Sequence, residues 1–281
     1  MGRAMDREED VKEHYRHDNL LAAISDGLEK LGKSPKTVKI DDLAPVDEFH
    51  IGGRQASIQF LSQLGLSLEN HVLDIGSGLG GTARFIAKTY RPKVTGIDLT
   101  PEFVETGRVL NDWVGLSKQI ELLQGSATAL PFDDETFDAA VMLHVGMNIA
   151  DKPSLFAEVF RSLRPGGVFG IYDVMKTSDK PLDYPVPWAS VPETSSLAEP
   201  EAYRVALLNA GFDMRQERNR LDFAQDFLAK MIEKTKSAGG PPPLGLHILF
   251  GDTAATKIRN MVAGLAAGKI APVEMIARKP R

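Results

Sequence analysis

The chain of 281 residues contains no cysteine, which excludes disulfide bonds, zinc–thiolate sites and a thiol nucleophile. A large excess of one charge is also missing, since 33 lysine and arginine residues stand against 38 aspartate and glutamate residues and leave a formal net charge of −5. Without a basic block we expect no binding to nucleic acid, and the mild negative balance favours a neutral or cationic ligand. No spacing of histidine and acidic residues predicts a metal site.

Long hydrophobic runs are absent, and no segment approaches the roughly 18 apolar residues of a membrane-spanning helix. The first ten residues are charged rather than apolar, so we expect no signal peptide. Hydrophobic residues still make up 43% of the chain, which excludes a disordered polypeptide. We therefore expect a folded cytoplasmic protein, and the sequence leaves its oligomeric state open.

The N-terminal seventy residues carry apolar side chains at helical spacing, over residues 20–31 and again over residues 58–64. The polar stretch 34–48 between them predicts a loop. We predict that residues 1–70 form a helical cover, in which His14 lies on a charged and solvated helix.

From residue 71 short apolar segments alternate with helical patterns, which is typical of an α/β fold with a doubly wound, mostly parallel sheet. The strands are predicted over residues 72–75, 94–98, 120–123, 139–143, 168–174, 212–218 and 270–277. A proline-rich stretch over residues 175–199 predicts a lid. Helical patterns over residues 220–268 predict an insertion between the last two strands.

A glycine-rich segment follows the first predicted strand, at the edge where α/β sheets bind ligands. It reads Asp-Ile-Gly-Ser-Gly-Leu-Gly-Gly over residues 74–81. Glycines permit a tight turn and bring the ligand against bare backbone at a helix N-terminus. The spacing of Gly76, Gly78 and Gly81 also fits a dinucleotide site, so an NAD-dependent oxidoreductase is an alternative.

Two carboxylates favour another ligand. Asp74 lies two residues before the first glycine, where a pyrophosphate would gain nothing from negative charge but an ammonium group would. Asp98 ends the second strand, at the right distance to accept hydrogen bonds from a ribose diol.

From residue 71 to residue 174 the sequence resembles the class I S-adenosylmethionine-dependent methyltransferases. Four motifs carry this resemblance in order, over residues 71–81, 94–98, 125–138 and 163–168. It implies a Rossmann-like sheet of seven strands with the last one antiparallel, S-adenosylmethionine as cofactor and S-adenosylhomocysteine as product. The methyltransferase domain would then cover residues 71–281, behind the helical cover.

A closer resemblance is to small-molecule methyltransferases of the sarcosine/dimethylglycine type, with ubiquinone and sterol methyltransferases as more distant relatives. It rests on residues 49–53, 80–85 and 172–175 and on the proline-rich lid. It implies methyl transfer to a small molecule, for which we favour an amine nitrogen. Methylation of carbon or oxygen in a quinone, sterol or phenol is the alternative, and a non-catalytic binding module is a third.

The resemblance assigns roles around the cofactor. Asp74 would face the methionine amino group, Asp98 would hold the ribose and Ser126 would meet the adenine edge, where many relatives have an aspartate. The implied cofactor-binding residues are Asp74, Gly76, Ser77, Gly78, Gly80, Asp98, Leu99, Ser126, Ala127 and Leu143.

Methyl transfer from a sulfonium is an in-line displacement, in which alignment of the acceptor and exclusion of water supply much of the rate. A base is needed when the acceptor must lose a proton. His144 follows the fourth strand and is our candidate catalytic base, with packing against the cofactor as its alternative. The candidate substrate-binding residues are His50, Asn148, Tyr172 and Trp188, and an acidic acceptor could use Arg54, Arg164 or Arg204.

Overall fold

The computed structural model describes residues 2–17 and 19–281. Its centre is a sheet of seven strands, β1 (His71–Ile75), β2 (Lys93–Asp98), β3 (Ile120–Gln124), β4 (Phe137–Leu143), β5 (Leu163–Lys176), β6 (Asp213–Asn219) and β7 (Ile270–Arg278). Their order across the sheet is β3-β2-β1-β4-β5-β7-β6. The first five strands pair in parallel, and β7 runs antiparallel to both of its neighbours. The predicted Rossmann-like fold is confirmed.

Helices surround this sheet in the described ranges. They are α1 (Gly2–His14), α2 (Leu20–Lys30), α3 (Ile40–Asp47), α4 (Gly53–Leu61), α5 (Gly81–Thr89), α6 (Pro101–Trp113), α7 (Lys152–Ser162), α8 (Pro200–Asn209), α9 (Leu221–Ser237), α10 (His247–Phe250) and α11 (Ala254–Ala266). The last three form the predicted insertion between β6 and β7. None of the helices in the described residues is long and apolar enough to cross a membrane.

The predicted loop over residues 34–48 is wrong in its second half, because α3 lies there. The Asp42 carboxylate accepts the backbone N–H of Lys39 at 2.9 Å and caps the first turn of this helix. Leu43 and Val46 are buried beside α2 in one apolar cluster. Three carboxylates, a proline and a short length hid this periodicity in the sequence.

Strand β1 lies between β2 and β4, and the chain order reverses there. Connections leave β1 and β4 toward opposite sides, so a crevice opens at the carboxyl ends of these strands. Asp74 pairs with Gly96 of β2 and with Val141 of β4. The glycine turn after β1 and the loop after β4 therefore line the same crevice.

The strand β5 begins earlier than predicted, at Leu163 rather than Val168. Leu163 pairs with Phe137, and a register shift between Phe137 and Ala139 absorbs the intervening turn. After this strand the predicted lid segment is irregular, with one isolated bridge between Val186 and Ala189 in its described residues.

Candidate active site

Asp74 stands near the carboxyl end of β1 with only 2% of its surface exposed. Its Oδ2 atom has no hydrogen-bond partner among the described residues. Burial, and after it the neighbouring Asp98 carboxylate, raise the pKa of Asp74 to about 8. A buried carboxylate beside a second one is costly without a positive partner, so this crevice favours a cationic ligand.

Asp98 ends β2 and is held by backbone amides. Its Oδ2 accepts the N–H of Gly78 at 2.8 Å, and its Oδ1 accepts the N–H of Thr100 at 2.9 Å. Burial raises the pKa of Asp98 despite these bonds. Each carboxylate oxygen can accept more than one hydrogen, so the fixed side chain can still take hydrogen bonds from a diol.

The glycine turn shows how closely other groups approach the backbone. Gly76 has a φ of 64°, and a Cβ atom built on it would lie 2.4 Å from the Val145 side chain in the loop after β4. Gly78 has a φ of 53°, and a Cβ there would meet no described atom within 4 Å. Ser77 keeps a buried hydroxyl without a partner among the described residues. Open space over Gly78, the Ser77 hydroxyl and two carboxylates fit a nucleoside cofactor with an ammonium group.

The remaining predicted cofactor residues lie along the same edge of the sheet. Leu99 follows β2, Ser126 and Ala127 follow β3, and Leu143 ends β4. Gly80 takes a φ of 81° where α5 begins. Their contacts with a cofactor stay predictions.

Three aromatic rings that the sequence places far apart meet beyond β4. The His144 ring lies 5.1 Å from that of Tyr172 and 5.9 Å from that of His50, measured between centroids. The third pair, His50 and Tyr172, are 6.1 Å apart. The candidate base and two candidate acceptor residues thus form one cluster.

His144 is held in an unusual backbone conformation for a residue with a side chain. Its φ is 55°, and its N–H donates to the carbonyl oxygen of Tyr172 at 2.7 Å. Its Nε2 atom is buried without a hydrogen-bond partner in the described parts of the chain. Burial, and then the nearby His50, lower the pKa of His144 well below its ordinary value. Strain of this kind concentrates at functional sites, and the lowered pKa keeps the ring neutral near pH 7.

His50 is fixed from behind by a buried polar chain. The Ser57 hydroxyl donates to the Glu48 carboxylate at 2.6 Å and lies 3.0 Å from His50 Nε2. Because that hydroxyl hydrogen is used and the Gly53 carbonyl oxygen lies 3.2 Å away, Nε2 carries the ring proton as donor. Burial lowers the pKa of His50 to about 4, so the imidazole is neutral near pH 7.

The other candidate acceptor residues occupy different surroundings. Tyr172 is fully buried, and its hydroxyl donates to the Ile51 carbonyl oxygen at 2.9 Å. Trp188 is buried in an apolar cluster with residues of the helical insertion and donates its Nε1–H to Ser195. Asn148 lies in a short 3₁₀ turn and bonds the Tyr15 hydroxyl. Tyr172 and Trp188 are thus buried and bonded to other protein groups, which favours a role in holding the walls of the site. Their contact with an acceptor stays a prediction.

Of the three arginines considered for an acidic acceptor, two lie elsewhere. Arg164 pairs with Asp138 near the amino end of β4, opposite the edge that carries His144. Arg204 pairs with Glu201 and Glu217 on the surface of α8 and β6. Arg54 pairs with Glu48, the carboxylate that also accepts the Ser57 hydroxyl next to His50.

The helix α1 contributes residues that sequence reasoning missed. Tyr15, just after α1, packs against Phe49 and Phe103. Burial raises the pKa of its hydroxyl group. Glu8 reaches Ser126. His14 contacts the carbonyl oxygen of Pro187 at 2.9 Å, so its predicted solvated position is wrong. The contacts of Glu8 and His14 join residues more than a hundred positions apart, and no local pattern signals them. Glu48 and Ser57, in contrast, flank His50 and could have been noticed.

Residues 73–171 match the family model of the methyltransferase domain. This stretch is a methyltransferase domain. The family decides between the two cofactors that the glycine spacing allowed, because it uses S-adenosylmethionine and not NAD. The geometry of the site agrees, since a buried carboxylate near the end of β1 that has an oxygen without a partner among the described residues suits an ammonium group.

Curated relatives of this methyltransferase domain act on different acceptors by name. Phosphoethanolamine N-methyltransferase 1 of Zea mays is 31% identical over 65% of this chain and 36% of its own length. A sarcosine/dimethylglycine N-methyltransferase of Halorhodospira halochloris is 29% identical over 62% of this chain and 61% of its own length. A sterol 24-C-methyltransferase of Gibberella zeae is 34% identical over 42% of this chain and 31% of its own length.

Solved structures share the fold over nearly the whole chain. The geranyl diphosphate C-methyltransferase of Streptomyces coelicolor superposes with a TM-score of 0.71, at 14% identity, over 97% of this chain and 98% of its own. Thus the predicted resemblance to small-molecule and sterol methyltransferases is confirmed. The chain spans less than two thirds of the length of these curated relatives, and their acceptors include both nitrogen and carbon.

Proposed function

We propose that the chain transfers a methyl group from S-adenosylmethionine to the nitrogen of a small amine. The observation that carries the cofactor is Asp74, a buried carboxylate without a cationic partner among the described residues, in the crevice of a methyltransferase domain. Relatives named as phosphoethanolamine and sarcosine/dimethylglycine N-methyltransferases support the amine acceptor. When bound, S-adenosylmethionine supplies an electrophilic methyl group on a sulfonium centre. Asp74 would bind its ammonium group, and Asp98 would accept hydrogen bonds from its ribose.

The same carboxylates disfavour the alternative NAD-dependent oxidoreductase. A pyrophosphate at the glycine turn would gain nothing from Asp74 and Asp98, because it would further oppose the ionisation that burial already disfavours in both. The family match supports this choice.

The acceptor would lie beside His144. An ammonium acceptor has no free electron pair, so it must lose a proton before it can react. The unpartnered Nε2 of His144 would take that proton, and His50, held through Ser57 to Glu48, would fix the neighbouring wall. Arg54 already pairs through Nε with Glu48 Oε1 at 2.6 Å, and its Nη2 atom, which no described group bonds, would take an acidic group of the acceptor.

We further propose that the helical cover of residues 1–70, the lid of residues 175–199 and the insertion of residues 220–268 enclose the acceptor over a methyltransferase domain of residues 71–281. Contacts of α1 with Ser126 and with Pro187 support this division. Enclosure would exclude water from the transfer.

A screen with methyl-labelled S-adenosylmethionine tests the proposal. Candidate amines, quinones, sterols and phenols are incubated with the protein, and mass spectrometry locates the label. We expect label on nitrogen. Label found only on carbon or oxygen would overturn the amine acceptor, and a protein that binds no S-adenosylmethionine would overturn the function itself.

The role of His144 is tested separately by His144→Gln, which keeps a similar volume but removes the base. We expect turnover to fall about 100-fold, while the affinity for S-adenosylhomocysteine stays within a few-fold. Turnover at the wild-type level would show that the ring only packs.

A further inference from the structure

Glu8 extends from α1 to the loop after β3. The Ser126 hydroxyl donates to Glu8 Oε1 at 2.5 Å, and the Thr128 hydroxyl lies 3.4 Å from the same oxygen. More than a hundred residues separate these partners along the chain, so the contact exists only because α1 crosses this edge of the sheet.

The position of this carboxylate along the edge is well defined. The strands β2 and β3 are neighbours, and Gly125 donates its N–H to the carbonyl oxygen of Asp98 at 2.9 Å. Ser126 follows Gly125 directly. Glu8 therefore stands one strand beyond Asp98, on the side away from Asp74.

Under the proposed function, Asp74 holds the amino acid end of the cofactor and Asp98 holds the ribose. The adenine ring of the cofactor would then extend beyond the ribose in the same direction, toward Ser126 and Glu8. Adenine carries an exocyclic amino group that only donates hydrogen bonds. A carboxylate only accepts them, and Ser126 already uses its hydrogen to hold Glu8.

We propose that Glu8 accepts a hydrogen bond from the 6-amino group of adenine and selects adenine over a 6-oxo purine. This inference rests on the proposed function. The carboxylate comes from the N-terminal helix and supplies the negative charge that the position of Ser126 lacks. A 6-oxo group would place an oxygen against the Glu8 carboxylate, where two acceptors repel.

The test compares S-adenosylhomocysteine with S-inosylhomocysteine, its 6-oxo analogue, by isothermal titration calorimetry. Wild-type protein should prefer the adenine compound. In Glu8→Gln the amide can donate to the 6-oxo group as well as accept from the amino group, so we expect the ratio of the two affinities to fall about tenfold.

Glu9→Gln is a matched control, because Glu9 is exposed on the same helix and pairs with Lys12. It changes the net charge equally and should leave the ratio unchanged. Ser126→Asp in the Glu8→Gln background returns a carboxylate to the same place, and it should restore the preference for adenine.

The outcomes separate the two proposals. Wild-type protein that binds neither compound would overturn the proposed function, and this inference with it. Wild-type protein that binds S-adenosylhomocysteine, together with an unchanged ratio in Glu8→Gln, would overturn the role of Glu8 alone. The role of Glu8 would be supported if the ratio of the two affinities fell in Glu8→Gln, stayed unchanged in Glu9→Gln and was restored by Ser126→Asp.

Discussion

Two buried aspartates, Asp47 and Asp74, have opposite surroundings. Asp47 ends α3 and meets Arg84 of α5 in a two-pronged ion pair, with Oδ2 at 3.0 Å from Nε and Oδ1 at 2.5 Å from Nη2. Both side chains are fully buried, and Asn111 takes a further hydrogen of the guanidinium at 2.8 Å. Asp74 has one oxygen without a hydrogen-bond partner in the described parts of the chain, and its neighbour is a second carboxylate, Asp98.

The difference separates a buried aspartate whose counter-charge lies within the fold from one that has no counter-charge among the described residues. A buried carboxylate with a complete set of donors joins two helices, and a buried carboxylate without a cation adds a cost to the free protein. Such a cost is retained where binding relieves it. Four predictions test this contrast, from the largest expected effect to the smallest.

Replacement of Asp47 should lower stability most. Asp47→Asn leaves the Arg84 guanidinium buried without its counter-charge, and we expect a loss of about 3–5 kcal/mol in the free energy of unfolding. Urea denaturation monitored by circular dichroism measures it. Folded Asp47→Asn should still bind S-adenosylhomocysteine with an affinity within a few-fold of that of wild type. A large loss of affinity would contradict the separation of a stabilising aspartate from a ligand-binding one.

Replacement of Asp74 should act on binding. Asp74→Asn removes the counter-charge for the cofactor ammonium group, so we expect the affinity for S-adenosylhomocysteine to fall about 100-fold. Isothermal titration calorimetry gives the value, with Asp47→Asn as the matched buried aspartate. An affinity equal to that of wild type would contradict the assignment of Asp74.

The pH dependence of binding follows from the pKa of about 8 for Asp74 in the free protein. Below that pH the carboxyl group is protonated, whereas an ammonium ligand binds its ionised form. Affinity for S-adenosylhomocysteine should therefore rise with pH, by about tenfold per unit between pH 6 and 8, and then level off. Asp74→Asn should show a flatter profile over this range, and a flat profile in wild type would contradict the raised pKa.

Stability of the ligand-free protein should change in the opposite direction to binding. Because the pKa of Asp74 is about 8 when folded and about 4 in an unfolded chain, its stabilising contribution is complete below pH 4. It is lost as pH rises toward 8. Between pH 6 and 7 the free energy of unfolding of the wild-type protein should fall by about 1 kcal/mol more than that of Asp74→Asn. Parallel declines in thermal melts would show that Asp74 is not linked to folding.

Much of the sheet could be predicted because its strands are local patterns. Continuous apolar runs such as residues 72–75 and 139–143 mark strands buried on both faces, and they lie within two residues of the observed bounds. The helix α3 escaped prediction, since a short segment with Asp41, Asp42 and Pro45 depends on its buried neighbours more than on its own periodicity.

The candidate site divides in the same way. Asp74 and Asp98 could be located from the sequence because each lies at or next to the carboxyl end of a strand that the pattern identifies, and parallel strands bring these ends together. A role for His50 in the site could be predicted, but its contact with His144 could not. His50 lies in a loop, and no sequence pattern predicts where a loop lies relative to the sheet. Glu8 and Tyr15 carried no signal at all, because only the path of α1 over the sheet brings them to this edge.

The sequence by itself determined the strands of the sheet and the glycine turn between two carboxylates, since these depend on short-range periodicity and on backbone freedom. The tertiary structure alone decided which buried charges are paired. In the folded protein Asp47 forms an ion pair with Arg84, whereas Asp74 has no cation beside it among the described residues. Glu8 contacts Ser126 only through the path of α1. Pairing depends on distances across the fold, which neither composition nor spacing encodes.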